Sequence, residues 1–248
     1  MIVEVVGYLL LGAAMGTLGG LFGIGGGLVA IPALGVLFGL DQQLAQGTAL
    51  LMVLPNVLLA LWRYNQRNRI SVRNAMMLIV PSFVVSWLTS LWAVRIDPQS
   101  MRLGFVGFLM VLTLFNLIQM YWHKGNAGAE LRHGRWLWVL GVGSGVTAGM
   151  FGVGGGVIAT PILTGIFGAT QVAAQGLALA LAAPATLITM TTYALHGHVN
   201  WLMGLPLAIG GLASISWGVA LAHSMPERLL RALFCVFLVI CDIMLCFR

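Results

Sequence analysis

The chain carries one glycine-rich motif twice, and this internal repeat constrains its fold more than any other feature. Residues 145–163, GVTAGMFGVGGGVIATPIL, align without gaps on residues 16–34, GTLGGLFGIGGGLVAIPAL, at an offset of 129. Between residues 12–64 and 141–193 the same offset gives 22 identities in 53 positions, among them glutamine, phenylalanine and proline. Shared hydrophobicity alone does not align those residue types, so we predict two homologous halves.

The composition places both halves in a membrane. The sequence is 60% hydrophobic and 7% charged, with a mean hydropathy of +0.99, and such values are typical of polytopic membrane proteins. The net charge of +6 then reflects arginines at the membrane surface rather than nucleic-acid binding. We predict one integral membrane domain with a first repeat at 1–123, a polar linker at 124–135 and a second repeat at 136–248.

The lengths of the apolar segments predict the number of membrane crossings. Six stretches each approach the ~20 residues that a bilayer crossing requires. They are residues 44–62, 75–94, 103–122, 173–195, 202–222 and 229–247. Two further apolar tracts, 2–40 and 136–168, are interrupted by glycine and are too long for one crossing. We therefore expect an all-α polytopic membrane protein of about eight transmembrane segments, in two four-segment repeats that each open with a glycine-broken helix or hairpin.

The glycine interruptions are the candidate site. Each glycine costs a helix interior about 1 kcal/mol relative to alanine, and a mid-helix proline costs about 3. A helix that stops inside the bilayer leaves unpaired N–H and C=O groups, which must face protein, water or a ligand. Repeats with such breaks at corresponding positions point to a transporter binding site. The half-helices that follow, 28–40 and 157–168, would present positive dipole ends that suit an anion.

Some of the glycines have a second explanation, which is close helix packing. Small residues four positions apart favour tight contact between membrane helices. Residues with this spacing are Gly12, Gly16, Gly20, Gly141, Gly145 and Gly149. The denser clusters at 23–27 and 152–156 hold four glycines in five positions. Packing does not require that density, so we assign these two clusters to binding loops.

The repeated signatures GLFGIGGG and GMFGVGGG, each followed by Pro32 or Pro161 and then by AQGTAL or AQGLAL, resemble the sulfite exporter TauE/SafE family of membrane permeases. The resemblance covers nearly the whole chain. It implies a multi-pass transporter of the bacterial cytoplasmic (inner) membrane that moves sulfur-containing anions such as sulfite or C2 sulfonates. It also places the family's A-x-G/S-T/S helix start on residues 45–49. Because Leu177 stands where the second half should have serine or threonine, the resemblance implies unequal half-sites, with any hydroxyl contact from Thr48 alone.

Substrate contacts are expected from the two loops and from polar residues close to them. The candidates are Phe22, Gly23, Gly25, Gly26, Gly27, Gln46, Thr48, Asn56, Phe151, Gly152, Gly154, Gly155, Gly156, Gln175 and Thr186. The amides of Gln46 and Gln175 recur at equivalent places and can donate to an oxyanion. Capping or bridging between the repeats explains these two glutamines equally well. Hydrogen bonding between helices is the alternative explanation for Asn56 and Thr186.

The charge pattern bears on how the halves are oriented. All twelve lysines and arginines lie near segment ends. If each glycine-broken tract goes in and comes back, the halves are inverted and nine of these cations lie inside with three outside. If each tract is one crossing, the halves are parallel and the split is eight to four. Both arrangements obey the positive-inside rule, and we favour inversion.

The remaining chemistry favours transport of a small anion over catalysis. The six acidic residues lie toward segment ends, so we expect no carboxylate proton relay and an exit driven by the membrane potential. Three cysteines close to the C-terminus have no CxxC spacing, and we expect no metal or other cofactor. No HExxH or GxSxG motif is present, so we expect no enzyme. The alternative is a non-transporting membrane scaffold or accessory subunit, and homo-oligomerisation stays open.

Overall fold

The described part of the chain is entirely helical. The computed structural model describes residues 2–22, 24–67, 72–122, 136–225 and 227–246, and within these ranges it contains ten α-helices and no strand. The helices are α1 (Ile2–Phe22), α2 (Gly27–Phe38), α3 (Gln42–Arg67), α4 (Val72–Ala93), α5 (Pro98–Trp122), α6 (Leu137–Phe151), α7 (Gly156–Gly165), α8 (Gln171–Leu195), α9 (Trp201–Ser224) and α10 (Glu227–Cys246). The predicted linker at 124–135 lies outside the described residues.

The helices follow the apolar segments of the sequence. The six stretches predicted to cross the bilayer correspond to α3, α4, α5, α8, α9 and α10, and each glycine-broken tract forms two helices. Within the described residues, α1, α3, α4, α5, α8 and α9 are long and apolar enough to span a membrane. Helices of this kind satisfy their own backbone hydrogen bonds, as a bilayer requires. The chain is therefore a polytopic helical membrane protein.

The glycine clusters end the helices because their backbones enter the left-handed region. Gly25 and Gly26 have φ of 71° and 93°, and Gly154 and Gly155 have φ of 76° and 69°, values that glycine adopts without steric cost. Pro32 does not end a helix, since it lies inside α2. It removes one backbone donor, a loss that helices within a membrane protein tolerate.

The chain turns back on itself after α1. Near the end of α2, the ring of Phe38 lies 5.4 Å from the ring of Tyr8 in the first half of α1. At the start of α2, a Cβ built on Gly26 would lie 3.2 Å from the carbonyl oxygen of Met15. Because the later residue of α2 contacts the earlier residue of α1, the two helices run in opposite directions. The first tract is a helical hairpin.

Two parallel helix pairs form close seams through glycine. Along α1 and α9, a Cβ on Gly12, Gly16 or Gly20 would strike Leu207, Gly211 or Ile215 in turn. Along α6 and α4, the corresponding partners of Gly141, Gly145 and Gly149 are Leu78, Ser82 and Ser86. Residue numbers rise together on both sides of each seam, so each pair runs parallel. The packing interpretation of these six glycines is confirmed.

Helices α3 and α8 cross the centre of the molecule in opposite directions. Gln46 near the start of α3 contacts Tyr193 near the end of α8, and farther along α3, Val57 packs in one buried cluster with Leu179 and Ala182 of α8. At its other neighbour, α3 runs parallel to α9, since Thr48 bonds Asn200 and Leu51 contacts Gly204. Helix α4 runs against α3, because Gln43 at the start of α3 bonds Ile96 just after α4.

Candidate functional site

The two glycine clusters come together at mid-length of the central helices. We call residues 24–26 the first loop and residues 152–155 the second loop. A Cβ on Gly25 of the first loop would meet Val53 and Val57 of α3, while a Cβ on Gly154 of the second loop would meet Ala182 and Thr186 of α8. These positions are near the middle of the apolar spans of α3 and α8. Gly23 is outside the described residues.

The loops also touch each other across the two halves. A Cβ built on Gly27 would lie 3.4 Å from the carbonyl oxygen of Gly152 and 3.7 Å from the Cα of Val153. Between them is a small cavity of about 10 Å³, with room for about one water molecule. Its lining residues are Ile24, Val57, Val153, Gly154, Gly156, Ala178, Leu179 and Ala182. The two loops therefore leave only a small, mostly apolar space between them.

Each loop leads into a helix whose first turn has no side-chain cap. Helix α2 begins at Gly27 after Gly26, and α7 begins at Gly156 after Gly155, and neither preceding glycine provides a side-chain hydrogen bond. The first N–H groups of an α-helix have no partner inside the helix. Together with the helix dipole they favour a negative charge. Two such ends therefore lie near the centre of the protein.

A buried polar contact joins α8 to α3 and to the end of α6, just before the second loop. The hydroxyl of Tyr193 donates to Gln46 Oε1 at 2.9 Å and to the Met150 carbonyl at 3.0 Å, so its single proton is shared between two acceptors. Both side chains are fully buried. Gln46 Nε2 has no hydrogen-bond partner among the described residues, and the Gln46 Cβ lies 3.5 Å from a Cβ built on Gly152. One amide donor therefore stays available beside the second loop.

Asn56 and Thr186 lie beside the first and second loops respectively, and both are fully buried. Asn56 Nδ2 donates to the carbonyl oxygen of Gly25 at 3.3 Å, which leaves Asn56 Oδ1 without a partner in the described part of the chain. Thr186 Oγ1 lies 3.1 Å from a Cβ built on Gly154 and likewise has no described partner. The structure thus brings these two predicted residues to the loops.

Two other candidate residues lie near the starts of α3 and α8. Thr48 accepts a hydrogen bond from the backbone N–H of Asn200 at 3.0 Å, so its hydroxyl ties α3 to the connection before α9. Gln175 is buried near the start of α8. Their assignment to the substrate site stays a prediction.

Comparison with known proteins identifies the family. Residues 8–245 match the family model described as sulfite exporter TauE/SafE. The chain belongs to this family. The resemblance expected from the repeated glycine motifs is thereby confirmed.

Curated relatives of this TauE/SafE protein carry transporter names. A protein of Xylella fastidiosa called "Probable membrane transporter protein" is 28% identical over 233 residues, covering 91% of this chain and 87% of the relative. "Probable membrane transporter protein YunE" of Bacillus subtilis is 24% identical over 241 residues, covering 88% of each chain. A Methanocaldococcus jannaschii protein with the same general name is 26% identical over 160 residues, covering 62% of this chain and 60% of the relative. These names agree with a membrane transporter.

The sequence reasoning for this TauE/SafE chain missed four phenylalanines of α5 and α10 that pack against the predicted residues Phe22 and Phe151. Phe22, just before the first loop, packs on Phe234 and Phe237 of α10, with ring centroids 5.2 and 5.6 Å apart. Phe151, at the second loop, packs on Phe105 and Phe108 of α5, with centroids 5.6 and 5.0 Å apart. The offset of 129 relates Phe105 to Phe234 and Phe108 to Phe237, which was the available signal. Phe22 and Phe151 thus pack on the fifth helix of the opposite half.

Asp242 is a second residue that the sequence reasoning undervalued. It belongs to the last turns of α10, and its position toward a segment end was the reason to expect no part for it in a proton relay. The side chain is buried, with 8% of its surface exposed, and Oδ1 has no partner among the described residues. The position of Asp242 along the sequence does not reveal this burial.

Proposed function

We propose that this TauE/SafE protein is a secondary transporter that exports small sulfur-containing or organic anions, such as sulfite or sulfonates, across the bacterial cytoplasmic membrane. The observation that carries the proposal is the meeting of two uncapped helix N-termini at mid-length of α3 and α8. Helix ends of this kind can replace the water lost by an anion that enters the bilayer. Membership of a transporter family agrees with this chemistry.

We infer further that the two halves are inverted. The support comes from helix directions: α1 runs parallel to α9, which runs parallel to α3, whereas α6 runs parallel to α4, which runs against α3. Equivalent helices α1 and α6 therefore point in opposite directions, as do α3 and α8. Nine of the twelve lysines and arginines then belong to the side on which α3 ends and α4 begins, which we assign to the cytoplasm.

Alternating access follows from this arrangement. The cavity between the loops is smaller than an oxyanion such as sulfite, so binding requires the loops to separate. Inverted halves allow the same movement to open the site to one side and then to the other. The aromatic contacts of Phe22 with α10 and of Phe151 with α5 join each loop to the opposite half. They provide a mechanical link for such a movement.

The membrane potential can drive the export. An anion that leaves a cell with a negative interior gains about 2.3 kcal/mol per charge per 100 mV, so no coupling ion is required. Buried Asp242 is the group to test for proton coupling. Uptake into proteoliposomes under an imposed potential with equal pH on both sides separates the two mechanisms, and Asp242→Asn should leave that uptake unchanged.

The experiment that tests the function compares ligand binding and flux in one purified protein. A thermal-shift screen would cover sulfite, sulfate, thiosulfate, taurine, sulfoacetate and organic carboxylates, since a ligand that binds only folded protein raises its apparent stability. Stabilising anions would then be tested for flux in proteoliposomes with wild-type protein and Gly154→Ala. A transporter loses flux in that variant. If no anion stabilises or crosses, the scaffold alternative replaces the proposal.

A further inference from the structure

The two glycine loops are equivalent in sequence but not in the side chains around them. At the offset of 129, Thr186 of α8 corresponds to Val57 of α3, Thr189 corresponds to Ala60, and Ser144 of α6 corresponds to Met15 of α1. In each case the second half has a hydroxyl where the first half has an apolar group. All six residues are buried. The difference therefore lies inside the protein, where an unpaired hydroxyl has an energetic cost.

Thr186 is the hydroxyl nearest to the second loop. Its Oγ1 lies 3.1 Å from the Cβ position of Gly154, two residues before the ten-residue helix α7 begins. Thr191 and Thr192 of the same helix donate to backbone carbonyls four residues earlier, at 2.8 and 2.9 Å, whereas Thr189 Oγ1 has no described partner. Thr186 has no such bond among the described residues. Its proton is available to an acceptor beside the uncapped N-terminus of α7.

The first loop presents the opposite chemistry. Val57 and Val53 cover Gly25, and the amide nitrogen of Asn56 is used by the Gly25 carbonyl. The group left without a described partner is Asn56 Oδ1, which can only accept a hydrogen bond. An acceptor oxygen beside a loop that valines cover does not favour an anion. The first loop is thus matched to an uncharged part of a ligand.

We propose that the anionic group binds at the second loop alone, held by the Thr186 hydroxyl and the first N–H groups of α7, while the first loop contacts an uncharged remainder. The inference rests on the proposed function and narrows its substrate class. The preferred substrate has one oxyanion head and at most a short uncharged tail. A molecule with an anionic group at both ends would place its second charge among Ile24, Val53 and Val57, where no described side-chain donor is free to compensate for the lost water.

The decisive variants exchange the residues of the two halves. Thr186→Val removes the hydroxyl with little change in volume, and Val57→Thr adds a hydroxyl at the equivalent place by the first loop. Thermal shift and proteoliposome flux would be measured with methanesulfonate, which has one head, and with ethane-1,2-disulfonate, which has two. A hydrogen bond to a charged group predicts that Thr186→Val weakens methanesulfonate affinity about tenfold or more. Val57→Thr adds a hydroxyl beside the uncharged part of the ligand and should weaken methanesulfonate affinity clearly less than Thr186→Val does.

Controls separate binding from folding. Thr191→Val makes the same chemical change on the exposed face of α8 and should leave affinity unchanged. Thr186→Ser keeps the hydroxyl and should retain methanesulfonate affinity within about threefold, whereas Thr186→Ala should lose that affinity. If the valine variant does not fold, these two variants still show whether the Thr186 hydroxyl binds the anion. Without ligand, Thr186→Val should be at least as thermally stable as wild type, because a buried unpaired hydroxyl is replaced by a methyl group.

The outcomes distinguish this inference from the proposed function. Equal losses of affinity in Thr186→Val and Val57→Thr, or tighter binding of the disulfonate than of methanesulfonate, would overturn the one-headed site while transport stands. If wild-type protein neither binds nor transports any of the single-headed anions, the proposed function and this inference fall together.

Discussion

At the scale of single residues, a glycine of the second loop meets two constraints: a positive φ and close packing around its Cβ position. Gly155 has a φ of +69°, and a Cβ at this position would lie 2.7 Å from the carbonyl oxygen of Ser144. Gly39 has a similar φ of +66°, but no described atom lies within 4 Å of its Cβ position. Substitution of Gly39 therefore tests backbone strain alone, whereas substitution of Gly155 tests backbone strain together with steric clash.

We expect Gly39→Ala to lower the unfolding free energy by roughly 1–2 kcal/mol, the cost of a left-handed alanine, and to keep anion flux. Gly155→Ala has the same backbone strain, and its methyl group must also displace backbone atoms of α6. It should therefore lower thermal stability further and abolish flux. The measurements are the apparent melting temperature in detergent and uptake into proteoliposomes. Equal behaviour of the two variants would mean that the second loop is not tightly packed.

Tyr193 supports the second loop through its hydroxyl. Tyr193→Phe leaves Gln46 Oε1 and the Met150 carbonyl without the hydroxyl that lies 2.9 and 3.0 Å from them. Losing the partner of a buried polar group costs about 1–3 kcal/mol, so the melting temperature should fall. Tyr8→Phe makes the same change in a half-buried tyrosine and should alter stability by less than ~0.5 kcal/mol. Equal melting temperatures of the two variants would contradict a structural role for the Tyr193 hydroxyl.

At the scale of helices, the α1–α9 seam depends on the absence of side chains. A Cβ on Gly16 would lie 2.5 Å from the Cα of Gly211 and 2.6 Å from the hydroxyl of Ser214. On the same helix, no described atom lies within 4 Å of a Cβ on Gly7. We expect Gly16→Ala to force α1 from α9 and to lower the melting temperature by several degrees. Gly7→Ala should be neutral or stabilising by up to about 1 kcal/mol, from helix propensity. Comparable melting temperatures would show that the seam tolerates a methyl group.

The sequence allowed some of these elements to be predicted because their signals are local or repeated. Apolar length predicted the long helices, and glycine density predicted where α1 and α6 end. The contacts of Phe22 with α10 and of Gln46 with Tyr193 could not be predicted in this way, because each joins segments of different halves. Thr48 illustrates the same limit, because its hydroxyl accepts a hydrogen bond from Asn200, 152 residues away in the sequence.

At the scale of the whole molecule, the proposed inversion predicts that equivalent positions of the two halves lie on opposite sides of the membrane, which chemical labelling can detect. Asp41 and Thr170 are equivalent at the offset of 129, as are Arg95 and Ser224, and all four are exposed. Inverted halves place the members of each pair on opposite sides of the membrane. Parallel halves place them on the same side.

Single cysteines at these four positions test the arrangement directly. In a background in which Cys235, Cys241 and Cys246 are replaced by serine, an impermeant maleimide applied to intact cells should label Asp41→Cys and Arg95→Cys. Thr170→Cys and Ser224→Cys should react only after the membrane is permeabilised, because the positive-inside rule assigns their side to the cytoplasm. Flux of each variant provides the control for folding. Labelling of both members of a pair from the same side would refute inversion, and with it the idea that one rocking movement serves both faces of the site.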